Sequence, residues 1–254
     1  DNSTVAENLT ATDFTDNKID NLGRYWYTVF ATNKYGYSET LSPSAVLGKA
    51  LLPPLVQDFS DENVFWSQWN AVDNNKDNYS WMFNVGMSSQ IFGDYSQGAE
   101  YIINPTFTPD YVKGNADEWL ITPPILFEAG KNCKITIRAR SLKEEKIIIT
   151  KGKANVVDKQ QIVKEISIPP GKSDGENIPF RDYEVDFPIE TGVMCIGINL
   201  VSPVPQDRYS CLQISSVKIE QTVNTPIDEP LQERVGYKKE GQLLTVQGDF
   251  IAAY

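Results

Sequence analysis

The sequence predicts an all-β chain built from antiparallel sheets that pack face to face. Apolar and polar residues alternate with a period of two in segments that begin at Arg24, Lys134, Asp182 and Ser210. Clusters of Gly, Pro and Asn separate these segments, and apolar residues at helical spacing occur only in short stretches. A strand with one apolar face buries it against a second layer, so the pattern predicts a two-sheet sandwich.

The composition excludes several classes of function. The 254 residues include no histidine, which excludes a Ser-His-Asp triad, a Cys-His pair and a His-ligated metal within this chain. The net charge of −11 repels phosphate backbones, so we expect no nucleic-acid partner. The longest apolar runs are far shorter than the roughly 20 residues that span a bilayer, so we expect no membrane-spanning segment.

The three cysteines lack the short paired spacings of a zinc site or a redox motif. They are Cys133, Cys195 and Cys211. Cys195 and Cys211 flank the turn at 202–208, so in a simple hairpin they could face each other and a disulfide is feasible. If the turn crosses between sheets, they are two separate thiols.

A strand end that stops at Pro53 and Pro54, and a polar proline-containing linker that begins at Val223, divide the chain into three pieces. These are residues 1–50, 55–222 and 223–254, and the middle piece is large enough for its own two-sheet core. The chain begins at Asp1 without a signal peptide, so we expect a mature chain or a fragment.

The outer pieces each match part of a known module. NLGRYWYTVFATNKYGYSETLSPSAVLG, from Asn21, resembles the second half of a fibronectin type III domain, which implies that Tyr25 bonds through its hydroxyl to upstream backbone. RVGYKKEGQLLTVQGDFIAAY, from Arg234, resembles the start of a C-terminal sorting-type domain. The alternative there is a hairpin between residues 242–246 and 250–254.

The middle piece contains four ordered stretches with a shared resemblance. They are VQDFSDE from Val56, WNAVDNNKDNYSW from Trp69, ADEWLITPPILFEAGKNCKITIRARS from Ala116, and VMCIGINLVSP from Val193 with LQISSVKI from Leu212. Together they resemble the cleaved-adhesin or choice-of-anchor jelly-roll domain of secreted bacterial proteins. The resemblance implies a jelly-roll sandwich, a secreted or cell-surface location, and non-catalytic binding of an extracellular glycan or protein.

Calcium is the candidate cofactor of this piece. Asp73, Asn75 and Asp77 have the spacing that begins a calcium loop, but Asn78 and Asn84 stand where the glycine and the bidentate glutamate are required. A metal here therefore needs ligands from elsewhere in the chain, and the alternative is a plain turn. The resemblance adds Asp58 and Asp61 as further metal candidates, although Ser215 and Ser216 replace the acids of the family's last strand.

Aromatic residues divide into core and surface candidates. We expect Trp69, Trp81 and Trp119, at family-matched positions, to pack in the core. Trp66 is the leading candidate for contact with a sugar or protein, in an exposed aromatic strip with its neighbours, and Tyr79 is a second ligand-binding candidate.

Three functional hypotheses follow. The leading one is a non-catalytic extracellular adhesion or binding module, and the second is the accessory binding region of a secreted hydrolase whose catalytic domain lies outside this chain. The third is a glycosidase that uses Asp182, Glu184 and Asp186 on one strand face, against the alternative that this face is merely solvated.

Overall fold

The computed structural model describes residues 3–11, 13–38, 44–83, 91–94, 96–103, 108–109, 111–171 and 178–223, and the backbone of 236–240 and 243–247. The chain divides into two units, Asp1–Thr222 and Val223–Tyr254. The strands are β1 Gly23–Trp26, β2 Thr32–Asn33, β3 Gly36–Tyr37, β4 Ser44–Leu47, β5 Leu55–Gln57, β6 Asn70–Asp73, β7 Met82–Phe83, β8 Ala99–Ile103, β9 Glu118–Ile121, β10 Ile125–Phe127, β11 Lys131–Ser141, β12 Glu145–Gly152, β13 Gln160–Ile168, β14 Arg181–Pro188, β15 Gly192–Leu200, β16 Ser210–Val223, β17 Gly236–Glu240 and β18 Leu243–Gln247. Helix α1 covers Glu62–Gln68, and a 3-10 turn covers Val157–Lys159.

The first unit contains two large antiparallel sheets, which confirms the predicted jelly-roll sandwich. One sheet has the order β13-β12-β15-β9-β6, with β10 paired to β15. The other has the order β14-β11-β16-β8-β7, with β5 paired to β16. Pro123 and Pro124 separate β9 from β10, and Gly130, with φ of 69°, makes the turn into β11.

The core between the sheets follows the predicted alternation. Ile196 and Ile198 from β15 and Leu212 and Ile214 from β16 are fully buried in one cluster. Trp69 and Trp81 belong to the same cluster, while Trp119 packs in a separate one. Trp69 and Trp81 are therefore residues of the core between the sheets, as the sequence predicts, and Trp119 is buried in a smaller cluster.

The turn at 202–208 crosses between the sheets, because β15 and β16 belong to different sheets. Cys195 is buried on the outer side of one sheet with Trp119 and Ile121. Cys211 is buried on the outer side of the other sheet, with Phe92 and Ile102. The two cysteines are separate free thiols, so the disulfide alternative is wrong.

The N-terminal segment attaches to the sandwich through helix α1. β1 pairs with β4, and the Tyr25 hydroxyl donates to the Asn21 carbonyl at 2.7 Å, the bond expected of that residue. The Arg24 guanidinium donates to the Trp66 carbonyl at 3.1 Å and to the Trp69 carbonyl at 2.6 Å. Arg24 therefore caps carbonyls at the end of α1, where a cation is favourable.

The second unit contains the hairpin of β17 and β18, with Gly236 opposite Gln247. The predicted hairpin pairs residues 242–246 with 250–254, whereas β18 at 243–247 pairs here with β17, which precedes it in the chain. Residues 250–254 lie outside the described residues. In the described part of the chain, no helix is long and apolar enough to cross a membrane.

Candidate metal centre

Three carboxylates converge at one end of the sandwich. Asp73 is the last residue of β6, and Glu118, the first residue of β9, lies directly opposite it in the antiparallel register. Asp77 follows in the turn after β6. One carboxylate oxygen from each residue lies within 4.8 Å of the others. Strand pairing thus supplies the distant ligand that the sequence motif requires.

The turn after β6 is held by the same carboxylates. Asp73 accepts hydrogen bonds from the amides of Asp77 at 3.2 Å and Asn78 at 2.7 Å. Asp77 accepts one from the amide of Tyr79 at 2.8 Å. Lys76 and Asn78 adopt φ values of 59° and 64°, in the left-handed region that asparagine tolerates well. The turn therefore wraps the chain tightly around the two aspartates.

Glu118 is the electrostatically unusual member of the group. Its side chain is fully buried, and its Oε2 atom has no hydrogen-bond partner among the described residues. Burial, together with the negative charges of Asp77 and Asp73, raises the pKa of Glu118 to about 8. The Tyr101 hydroxyl is also buried with no hydrogen-bond partner in the described part of the chain, and burial and the charge of Glu118 raise its pKa. At neutral pH this site requires a proton or a cation.

Neighbouring groups fix the backbone on both sides of Glu118. The Trp81 indole donates to the Glu118 carbonyl at 3.0 Å. The Asp117 carboxylate accepts bonds from the Asn74 amide group at 2.6 Å and from the Trp119 indole at 2.7 Å. Two tryptophan side chains therefore bond to the segment that presents Glu118, and this segment is tied to the turn that presents the aspartates.

The donor set fits a hard divalent cation. Carboxylate oxygens are the preferred protein ligands of calcium, which takes six to eight oxygens in a flexible geometry. The three residues offer up to three negative charges, and the buried Glu118 oxygen that has no partner among the described residues lacks the compensation that a bound cation gives. Magnesium demands near-ideal octahedral geometry and retains several waters, which makes calcium the better match.

The structure does not bring the other two metal candidates into this group. Asp58 accepts bonds from the amide and hydroxyl of Ser60 at 3.0 and 2.7 Å, and these bonds lower the pKa of Asp58. Asp61 is the N-cap of α1 and accepts from the amides of Asn63 and Val64. Both carboxylates serve local backbone turns, so the centre consists of Asp73, Asp77 and Glu118.

Trp66 is exposed, but the aromatic strip predicted around it is wrong. Trp66 lies on α1 and is 43% exposed, whereas Phe65 and Trp69 on either side are buried in the core. Phe65 and Trp69 are four residues apart, so they lie on the face of α1 that packs against the core, and Trp66 lies away from it. The Trp66 indole donates to Glu62 at 3.1 Å. Tyr79 is partly buried against the core directly after the turn that follows β6.

The three acids of β14 each have a partner on a neighbouring strand. Asp182 pairs with Arg138 at 3.1 Å and Glu184 with Lys134 at 2.9 Å. Asp186 accepts from the Asn132 amide group at 2.8 Å. The side chains of Asp182 and Glu184 are more than half exposed, on the outermost strand of the sheet. This is the arrangement of a solvated strand face.

Glu118 is the site residue that sequence reasoning missed. It lies inside the quoted stretch from Ala116, where its neighbours Trp119 to Ile121 indicate a core strand. The available signal is an acid at the first position of an otherwise apolar strand. Only the register of β6 against β9 shows that this acid faces Asp73.

Comparisons with known proteins show structural similarity at low sequence identity. No protein-family model and no curated protein matches the chain. The chain is similar to the K3 cleaved adhesin domain of Lys-gingipain from Porphyromonas gingivalis, with 15% identity and a TM-score of 0.44, over 65% of this chain and 98% of that one. It is similar to a family 6 carbohydrate-binding module from Clostridium stercorarium in complex with cellobiose, with 11% identity and a TM-score of 0.39, over 70% and 100% of the two chains. It also matches a family 43 arabinoxylan arabinofuranohydrolase from Bacillus subtilis, with 13% identity and a TM-score of 0.41, over 76% of this chain and 33% of that one.

Proposed function

We propose that this chain is a non-catalytic, extracellular binding module for a glycan or protein, and that calcium at Asp73, Asp77 and Glu118 stabilises its sandwich. The observation that carries the metal assignment is the convergence of three carboxylates around the buried, unpartnered oxygen of Glu118. Calcium sites of extracellular modules have dissociation constants of roughly 10⁻⁴ to 10⁻³ M. Such a site is filled at millimolar calcium and empty in a chelator.

The mechanism is structural support of the loops at one end of the sandwich. The turn after β6 bonds to the segment before β9, where the Asn75 amide group donates to the Asn115 carbonyl at 3.4 Å. That segment in turn pairs with the segment after β15, where the Val204 amide donates to the Gly114 carbonyl at 2.8 Å. A cation that neutralises the three acids therefore stabilises a connected set of loops.

Thermal unfolding in millimolar calcium and in chelator tests the metal site. A ligand that binds only the folded state raises its stability, by about 2.7 kcal/mol at a concentration one hundred times the dissociation constant. We expect calcium to raise the Tm of the wild type, and Asp77→Asn to abolish the increase. Glu184→Gln is the matched control, because it removes an exposed acid outside the group. An unchanged Tm for the wild type would refute the metal assignment.

A binding assay tests the rest of the proposal. The whole chain, loaded with calcium, is applied to arrays of oligosaccharides and of extracellular matrix proteins. Saturable retention that neither releases nor modifies the ligand is the expected result. Turnover of a retained saccharide, or the absence of any saturable retention, would contradict a non-catalytic binding function.

A further inference from the structure

The hairpin of β2 and β3 presents two tyrosine rings to solvent. Tyr35 is 84% exposed and Tyr37 is 78% exposed, which makes them the two most exposed large hydrophobic side chains among the described residues. Both line one open groove of about 280 Å³, and Thr32, Asn33 and Ser38 contribute to its wall. The groove therefore combines aromatic faces with hydroxyl and amide groups.

The hairpin fixes the backbone that carries both rings, and a neighbouring ring packs on Tyr37. The Tyr35 amide donates to the Asn33 side chain at 2.7 Å, and Gly36 adopts a φ of 141°, which favours glycine. Phe30 packs edge to face on Tyr37, with ring centroids 5.5 Å apart and an interplanar angle of 73°. A preformed site loses less conformational entropy when it binds, which favours affinity.

The chemistry of the groove points to one class of ligand. A pyranose presents an apolar C–H face beside hydroxyl groups. In the groove, a tyrosine ring can stack on the C–H face, and neighbouring amide and hydroxyl groups can hydrogen-bond to the sugar hydroxyls. Lys34 lies over the Tyr35 ring, with its Nζ 4.8 Å from the centroid, so only the opposite face is open for stacking. The net charge of −11 disfavours uronate and sulfate polymers.

We propose that this groove is a saccharide-binding site in which Tyr35 and Tyr37 stack against a neutral oligosaccharide. The site deepens the proposed function, on which it rests, by naming the ligand class and the residues that contact it. It lies on the N-terminal hairpin, on different elements from the three carboxylates of the metal centre. Trp66 is not among the residues that line this groove.

Isothermal titration calorimetry on the whole calcium-loaded chain tests the groove. The probes are cellotetraose and β-1,4-galactotriose as neutral oligosaccharides, and trigalacturonate as the acidic one. We expect at least one neutral probe to bind more tightly than trigalacturonate. Tyr35→Ala and Tyr37→Ala should each weaken that binding by about five- to tenfold, which corresponds to the loss of one ring contact. Tyr35→Phe keeps the ring and should preserve most of the affinity.

Tyr111→Ala is the matched control, because Tyr111 is 63% exposed elsewhere on the surface. Thermal unfolding verifies that every variant is folded. If a neutral probe binds and both alanine variants bind it equally well, the groove assignment is overturned while the binding function stands. If no neutral probe binds, the groove assignment is also overturned. A groove that recognises a protein would give this result. The calcium-dependent Tm then reports separately on the metal centre.

Discussion

Replacement of Glu118 with glutamine separates the shape of this buried side chain from its charge. In the metal-free protein the pKa of Glu118 is raised from 4.5 to about 8, first by burial and then by the charges of Asp77 and Asp73. The native state therefore retains a proton that the unfolded chain releases between these pH values, so stability falls as the pH rises through this window. At pH 7, about 2.5 pH units above the unfolded pKa, the loss is about 3 kcal/mol, at 1.36 kcal/mol per unit.

Calcium should narrow the stability gap between Glu118→Gln and the wild type. In chelator at pH 8 the variant has no charge to bury, so we expect it to be more stable than the wild type by up to about 4 kcal/mol. In calcium the wild type gains a ligand-bound state that the variant has lost, so the gap should shrink, by about 2.7 kcal/mol at one hundred times the dissociation constant. Urea unfolding at pH 5 and pH 8, with and without calcium, measures all of these free energies.

The result that refutes this reasoning is equally specific. If the wild type and Glu118→Gln lose stability in parallel between pH 5 and pH 8 in chelator, the charge of Glu118 is not the cause. Glu184→Gln provides the control, because Glu184 is exposed and paired with Lys134. We expect that variant to follow the wild type under every condition.

Two further predictions concern the packing of the sandwich. Arg24→Ala removes the bonds to the end of α1 and should lower the free energy of unfolding by about 2 kcal/mol. Arg208→Ala, at an exposed residue, is the control and should change that free energy by less than about 0.5 kcal/mol. Equal urea midpoints for the two variants would contradict the role of Arg24. Burial raises the pKa of Cys195 to about 12 and that of Cys211 well above the usual value. A thiol reagent at pH 8 should therefore label neither Cys195 nor Cys211 in the native protein. After unfolding, the same reagent should label all three cysteines of the chain. Fewer than three reactive thiols in denaturant without reductant would indicate a disulfide.

The sequence predicts the inner faces of the strands because the side-chain period of a strand is fixed by backbone geometry. Ile196 and Ile198 therefore face the core as predicted. The same pattern does not show that Cys195, on the opposite phase, is also buried. Its cover includes Val72 and Val157, which come from distant parts of the chain. Alternation reports on local geometry alone, so it cannot predict which segments cover the outer face of a sheet.

Only part of the candidate site was predictable, because only part of it depends on local sequence. The spacing of Asp73 and Asp77 is a local signal, but the position of Glu118 depends on which strands pair and in what register. The exposed strip around Trp66 failed because α1 is only 7 residues long, with one buried position, Phe65. Two turns of helix are too short to show a clear period.

Sensitised terbium luminescence tests the metal centre most directly. Terbium replaces calcium at oxygen-ligand sites. The indoles of Trp81 and Trp119 bond to the segment that presents Glu118. Excitation of these tryptophans should therefore transfer energy to a bound terbium ion. We expect luminescence from the wild type that calcium displaces and that Asp73→Asn abolishes. Luminescence that is absent from the wild type, or unchanged in Asp73→Asn, would contradict a cation held by Asp73, Asp77 and Glu118.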